Sequence, residues 1–155
     1  MINIIRTNAE HKDFVKLVHS LNEYLKVIDG SDHAFYNQYN GLENLKHVII
    51  LYINNTPAAC GSFKLFDKNT AEIKRMYTVP AFRGQGLASK ILQELEKWAM
   101  EEGFKSCVLE TGKRQDQAVS LYHRMQYILT PNFGPYKTMS NSICFKKEFT
   151  QNEKR

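Results

Sequence analysis

One stretch of the 155-residue chain limits its fold more than any other: AEIKRMYTVPAFRGQGLASKILQELEKWAMEEG, residues 71–103, which passes from β to helical periodicity through two glycines. Ala71 to Val79 reads as a strand, and Pro80, which cannot donate to a ladder, stops it. From Gln85 to Glu102 the apolar positions Leu87, Ala88, Ile91, Leu92, Leu95, Trp98 and Ala99 recur at helical spacing, and Gly103 is the C-terminal stop. A strand that turns through Gly84 and Gly86 into a long helix makes an anion site. The N–H groups of the first helical turn lack partners, the macrodipole favours negative charge, and glycine lets the backbone approach phosphate oxygens. Arg83 adds a planar cation suited to phosphate. Two glycines that only shape a tight turn are the plainer alternative. RGQGLASK lacks the GxxxxGK[ST] spacing, and Ser89 stands where GxGxxG has its third glycine, so neither a P-loop nor a dinucleotide fold is indicated.

The rest of the pattern fits around this junction. INIIR (2–6) reads as a first strand with a Thr7-Asn8 cap behind it, and Ala9 to Ile28 as a helix with Phe14, Leu17, Val18, Leu21 and Leu25 on one face. Ala34 to Leu45 is a second helical stretch, rich in Tyr and Asn. HVIILYIN, a turn at Asn54-Asn55-Thr56-Pro57 and AACGSFKLF form a hairpin, and Asp67-Lys68-Asn69 turns the chain into the strand before Pro80. SCVLET (106–111) is a strand, Gln115 to Met125 a helix, and Tyr127 to Thr130 and Ser142 to Phe149 the closing strands. This order predicts an α/β fold with a mixed sheet covered by helices, a single domain over residues 1–150 and a polar tail at 151–155.

Hydrophobic residues make up 43% and charged residues 24%, the proportions of a soluble globular chain. The net charge of +5 suits a polyanionic ligand, but Lys and Arg are scattered, and no RNP, helix-turn-helix or zinc pattern supports a nucleic-acid partner. Cys60, Cys107 and Cys144 form no CxxC pair and join no histidine cluster, so they are expected as buried thiols, with no metal. The N-terminal residues turn polar early, and no apolar run approaches the roughly 18 residues of a membrane span. A cytoplasmic protein without membrane association is the expectation, and a homodimer is plausible for a domain of this size.

The segment Ala71 to Tyr122 resembles the GCN5-related N-acetyltransferases (GNAT superfamily), whose hallmark R/Q-x-x-G-x-G/A stands here as Arg83-Gly84-Gln85-Gly86-Leu87-Ala88. KRMYTVP is similar to that family's cofactor strand, and LETGKRQDQAVSLYHRMQY to its next strand and helix. The resemblance extends from His47 to Lys147 and implies a GNAT-like domain with a mostly antiparallel sheet splayed at the cofactor strand. It also implies acetyl-CoA as co-substrate, with pyrophosphate on the amides of Gln85, Gly86, Leu87 and Ala88 near Arg83 and Gly84. The pantetheine arm would lie along the backbone of Met76, Tyr77 and Thr78. Gln115 holds the place of an Asn that contacts the arm, and Tyr122 that of a tyrosine near the CoA sulfur. Ala88 and Gln126 stand where many members have glycine, the second of these changes bearing on the turn before the Tyr127 strand.

Acyl transfer to an amine needs a base for the ammonium, a donor for the oxyanion and an acid for the leaving thiolate. Tyr122 can be the acid, its alternative being an ordinary core tyrosine. Glu110, at the end of its strand, can be the base or hold the acceptor's charge. Glu72 is the rival, since alternation puts it on a face with Lys74, Met76 and Thr78; an ion pair with a lysine of a neighbouring strand is its plainer reading. The oxyanion donor would be the N–H of Met76 or a neighbour. His123 faces elsewhere on its helix. Tyr36, Tyr39, Phe133 and Tyr136 are candidates to line the acceptor pocket, or else to form a packed corner. The expected acceptor is a primary amine of a small molecule or peptide, met by direct transfer in a ternary complex. The alternative function is a non-catalytic acetyl-CoA-binding sensor or partner-binding domain.

Overall fold

In the computed structural model, which describes residues 1–38 and 45–150, the strands are β1 (Ile2–Thr7), β2 (His47–Ile53), β3 (Thr56–Asp67), β4 (Thr70–Thr78), β5 (Ser106–Gly112), β6 (Ile128–Thr130) and β7 (Ser142–Glu148). They form one sheet in the order β1-β2-β3-β4-β5-β7-β6. Every neighbouring pair is antiparallel except β4 and β5, which are parallel. The helices among the described residues are α1 (Lys12–Ile28), α2 (His33–Asn37), α3 (Leu87–Glu101) and α4 (Asp116–Arg124). None of them is long and apolar enough to cross a membrane.

The helical stripes cover the two faces of the sheet. Ile91, Leu92 and Leu95 of α3 are fully buried against Ile49, Leu51, Phe63 and Leu109, while Phe14, Leu17 and Val18 of α1 pack on Val48, Ile50 and Cys60. Each such side chain contributes roughly 1.5–3 kcal/mol by leaving water. Gly103 (φ 95°) closes α3, and Asn54 and Asn55 (φ 48° and 69°) make the tight β2–β3 turn. Cys60, Cys107 and Cys144 are free and buried; burial pushes the Cys60 thiol up to about 12 and Cys144 up to about 11.

Four local expectations need correcting. The first helix starts at Lys12, three residues later than read, because the Asn8 side-chain Oδ1 accepts from the Glu10 N–H at 2.9 Å and holds residues 8–10 in a turn. The Thr7-Asn8 cap is accordingly replaced by His11, whose Nδ1 accepts from the Asp13 N–H at 3.1 Å. Thr56 and Pro57 belong to β3, with Pro57 opposite Tyr52 at a register shift that accommodates its missing donor. The second helix is only His33–Asn37 among the described residues; positions 39–44, Tyr39 included, lie outside them, as does the tail 151–155.

A further correction bears on the site. Cys60 pairs with Tyr77 and Ser62 with Lys74, so Gly61 faces two residues, Arg75 and Met76, and Arg75 adopts φ 59°. This β-bulge breaks the alternation read for Glu72, Lys74, Met76 and Thr78. Met76 packs into the α3 core and Tyr77 into the α1 core, so Met76 does not share the face of Glu72 and Lys74. Gly61 lets α3 close on the bulge: a Cβ there would lie 2.6 Å from Met76 Sδ, 2.7 Å from Ile91 Cγ2 and 2.9 Å from Leu95 Cδ1. Gly61→Ala is therefore expected to destabilise the fold by about 1–3 kcal/mol. Urea denaturation should show a lower midpoint at unchanged slope, and an unaltered midpoint would refute the close approach.

Candidate active site

Parallel pairing between β4 and β5 is confined to Thr70–Ser106, Ala71–Cys107 and Glu72–Val108. Beyond Glu72 the strands part, and a cleft of about 850 Å³ opens between them. Residues 72–78 of β4 line one wall, and Glu110, Thr111 and Gly112 of β5 with Gln115 and Tyr122 line the other. Arg83, Gly84, Gly86, Leu87 and Ala88 close one end. All the expected catalytic and cofactor-binding residues except Gln85 thus meet on one cleft.

The closed end has the features of an anion site. Gly84 and Gly86 take φ 82° and 75°, and no side chain caps the α3 N-terminus. Nothing lies within 4 Å of where a Cβ would stand at either glycine, so backbone conformation, not crowding, requires them. The first-turn amides of α3 thus have neither intrahelical acceptors nor a capping side chain. Arg83 Nε donates to the Thr78 carbonyl at 3.0 Å, and its guanidinium lies 5.5 Å from the Tyr24 ring and 5.9 Å from that of Tyr77. It ties the turn to the end of β4 while leaving positive charge beside the amides.

At the other end the carboxylates differ. Glu72, 7% exposed, is paired with Lys74 at 3.6 Å, so its lysine is on its own strand and not on a neighbouring one. Burial pushes the Glu110 carboxyl up to about 7, against a hydrogen bond from Ser142 and the charge of Lys74. Ser142 Oγ is in turn 2.7 Å from the Tyr36 hydroxyl. Burial, with the Glu110 charge, also raises Tyr122 well above the ordinary tyrosine value, which keeps its phenol protonated. The Tyr122 ring is fixed edge-on to Tyr127 at 5.8 Å. His123 packs edge-on against Phe145 at 5.1 Å and does not line the cleft.

Of the aromatic acceptor candidates, Tyr36 and Tyr136 line the cleft and stack at 6.3 Å. Phe133 stands behind them, edge-on to Tyr136 and to Phe66. Asp29, Lys74, Arg75 and Arg114 also line the cleft and were not singled out from the sequence. Asp29 read as a helix breaker, and only the bulge brings Arg75 beside Lys74. Gln126, at a position where glycine was expected, keeps a glycine-like φ of 71°, so the turn before β6 retains its shape. Among the described residues no three metal-ligating side chains gather.

A family model described as the acetyltransferase (GNAT) family matches residues 14–127. The chain belongs to the GNAT acetyltransferase family. This GNAT chain is 26% identical over 151 residues to a protein named IAA acetyltransferase from Azospirillum brasilense, covering 94% of this chain and 97% of that one. Its fold matches a structure described as an acyl-CoA N-acyltransferase from Klebsiella pneumoniae with a TM-score of 0.80 and 26% identity, over 96% and 97% of the two chains. A GNAT acetyltransferase from Elizabethkingia anophelis, solved with acetyl-CoA bound, shares the fold at a TM-score of 0.70 and 21% identity, over 96% and 98% of the chains. The GNAT architecture expected from Arg83 to Ala88, with its sheet splayed after Glu72, is the one observed.

Proposed function

We propose that this acetyltransferase moves acetyl from acetyl-CoA to a primary amine of a small molecule or peptide, directly within a ternary complex. The observation that carries this reading is one cleft that joins the uncapped α3 N-terminus to Glu110 and Tyr122. The residues fit the co-substrate: first-turn amides with Arg83 for pyrophosphate, and the β4 backbone from Met76 to Thr78, parted from β5, for an arm that adds like a strand. Gln115, at the α4 N-cap, would meet the same arm. Acetyl-CoA supplies the activated acyl group as a thioester.

The chain's own residues divide the proton work. Glu110, poised near neutrality, takes the proton of the acceptor ammonium so that the nitrogen lone pair can form the amide bond. A backbone N–H at Met76 or its neighbour meets the charge that develops on the carbonyl oxygen. Tyr122, held neutral by burial, gives its phenolic proton to the sulfur as the C–S bond breaks, and the second proton that the nitrogen sheds as the amide forms restores the phenol. Glu72 is better suited to balance Lys74 than to act as the base.

Tyr122→Phe should lower kcat about 100-fold while leaving acetyl-CoA affinity and the melting temperature unchanged. Steady-state rates with both substrates varied should give intersecting lines. A variant as fast as the wild type would remove Tyr122 from the acid role, and parallel lines would replace direct transfer with a covalent enzyme intermediate.

A further inference from the structure

Arg75 is 7% exposed and lines the cleft, yet among the described residues it has no carboxylate within ion-pair distance. One guanidinium nitrogen donates to Asn22 Oδ1 of α1, and its Nε is buried with no partner. Two other cations with little exposure are matched: Lys74 has Glu72 at 3.6 Å and Lys147 has Glu96 at 3.0 Å. A buried charge without a counter-charge is costly, and arginine does not escape the cost by losing its proton. Burial does push Arg75 down to about 10, still far above neutrality. The β4 bulge, with Arg75 at φ 59°, sets this side chain beside Lys74. That left-handed conformation costs a residue with a side chain some strain, and such strain persists where the surrounding structure holds it.

The cleft therefore offers a carboxyl that titrates near neutrality, Glu110, and a buried guanidinium without its anion, Arg75. An acceptor carrying only an amine would leave Arg75 as it stands. Resting on the acetyl-transfer reading, we infer that the acceptor is a small zwitterion, a free amino acid whose carboxylate pairs with Arg75 while its amine faces Glu110. The carboxylate would supply the counter-charge that the Arg75 guanidinium lacks. Peptide N-termini and simple amines lack a carboxylate next to the amine and would leave that charge unmatched.

The test compares free L-amino acids, their amides and the corresponding decarboxylated amines as acceptors with acetyl-CoA, by steady-state product formation. Wild type should favour the acids over both analogues by about 30-fold or more in kcat/KM, the range of a charged hydrogen bond. Arg75→Gln should cut kcat/KM for the acids about 30-fold, mainly through KM, and shrink the preference, while Arg75→Lys keeps part of it. Should Arg75→Gln fail to fold, the wild-type comparison of acid with amide decides. Amides or amines used as well as the acids would overturn this inference and leave the acetyltransferase reading standing. No acetylated product from any member of the panel would overturn both.

Discussion

Glu110→Gln is expected to lower kcat/KM by about 10²–10⁴-fold, the usual contribution of a positioned base. The glutamine keeps the shape and can hydrogen-bond Ser142, but it cannot take a proton. In the wild type, activity should rise with pH through about 7, as the Glu110 carboxyl ionises. That limb should vanish in the variant, which a pH profile of kcat/KM would show. Stability should respond in the opposite sense. Burial raises the folded value of Glu110 from the ordinary 4.5 to about 7, so the folded chain holds a proton that the unfolded chain gives up between those values. Its contribution is present in full below about 4.5 and lost as pH rises through about 7. Glu110→Gln should therefore be more stable than the wild type at pH 8, by about 1–3 kcal/mol, with the gap closing toward pH 4.5. A variant that is inactive but no more stable at pH 8 would mean that Glu110 carries no buried charge.

Gly86→Asp is expected to raise the KM for acetyl-CoA about 100-fold without unfolding the chain. Gly86 stands at the α3 N-cap with φ 75° and open space where a Cβ would be. Aspartate is among the few L residues that visit this conformation, at a cost of about 1–2 kcal/mol. A capping carboxylate at a helix N-terminus returns about 0.5–2 kcal/mol, so the melting temperature should change little. The carboxylate would occupy the amides proposed for the pyrophosphate and repel it. Titration of acetyl-CoA by isothermal calorimetry checks this. Unchanged affinity would place the pyrophosphate elsewhere.

How far the site can be read from the chain differs between its parts. The junction from β4 through Arg83 to α3 is visible because its determinants are local: a proline that ends a strand, glycines at left-handed positions and a helical apolar stripe. The Asn54-Asn55 turn is visible for the same reason. The bulge is not, since it depends on Gly61 of β3 facing Met76 and α3, contacts remote in sequence. Strict alternation therefore misplaced Met76 and gave no reason to notice Arg75. The family resemblance points to Tyr122, and position at the end of its strand points to Glu110. That Glu110 becomes the carboxyl lifted toward neutrality while Glu72 forms an ion pair with Lys74 follows only from burial and partners in the folded chain. The late start of α1 was missed because Asn8 makes a turn where it could as well have capped a helix.

Incubating the protein with acetyl-CoA and a mixture of amino acids, amine metabolites and short peptides, and following free thiol and acetylated products by mass spectrometry, tests the central claim most directly. One acetylated amine should appear for each thiol released, faster than thioester hydrolysis, and both signals should fall together in Glu110→Gln and Tyr122→Phe. Acetyl-CoA binding with no acetylated amine from any member of the mixture would contradict catalysis and leave an acyl-CoA-binding module in its place.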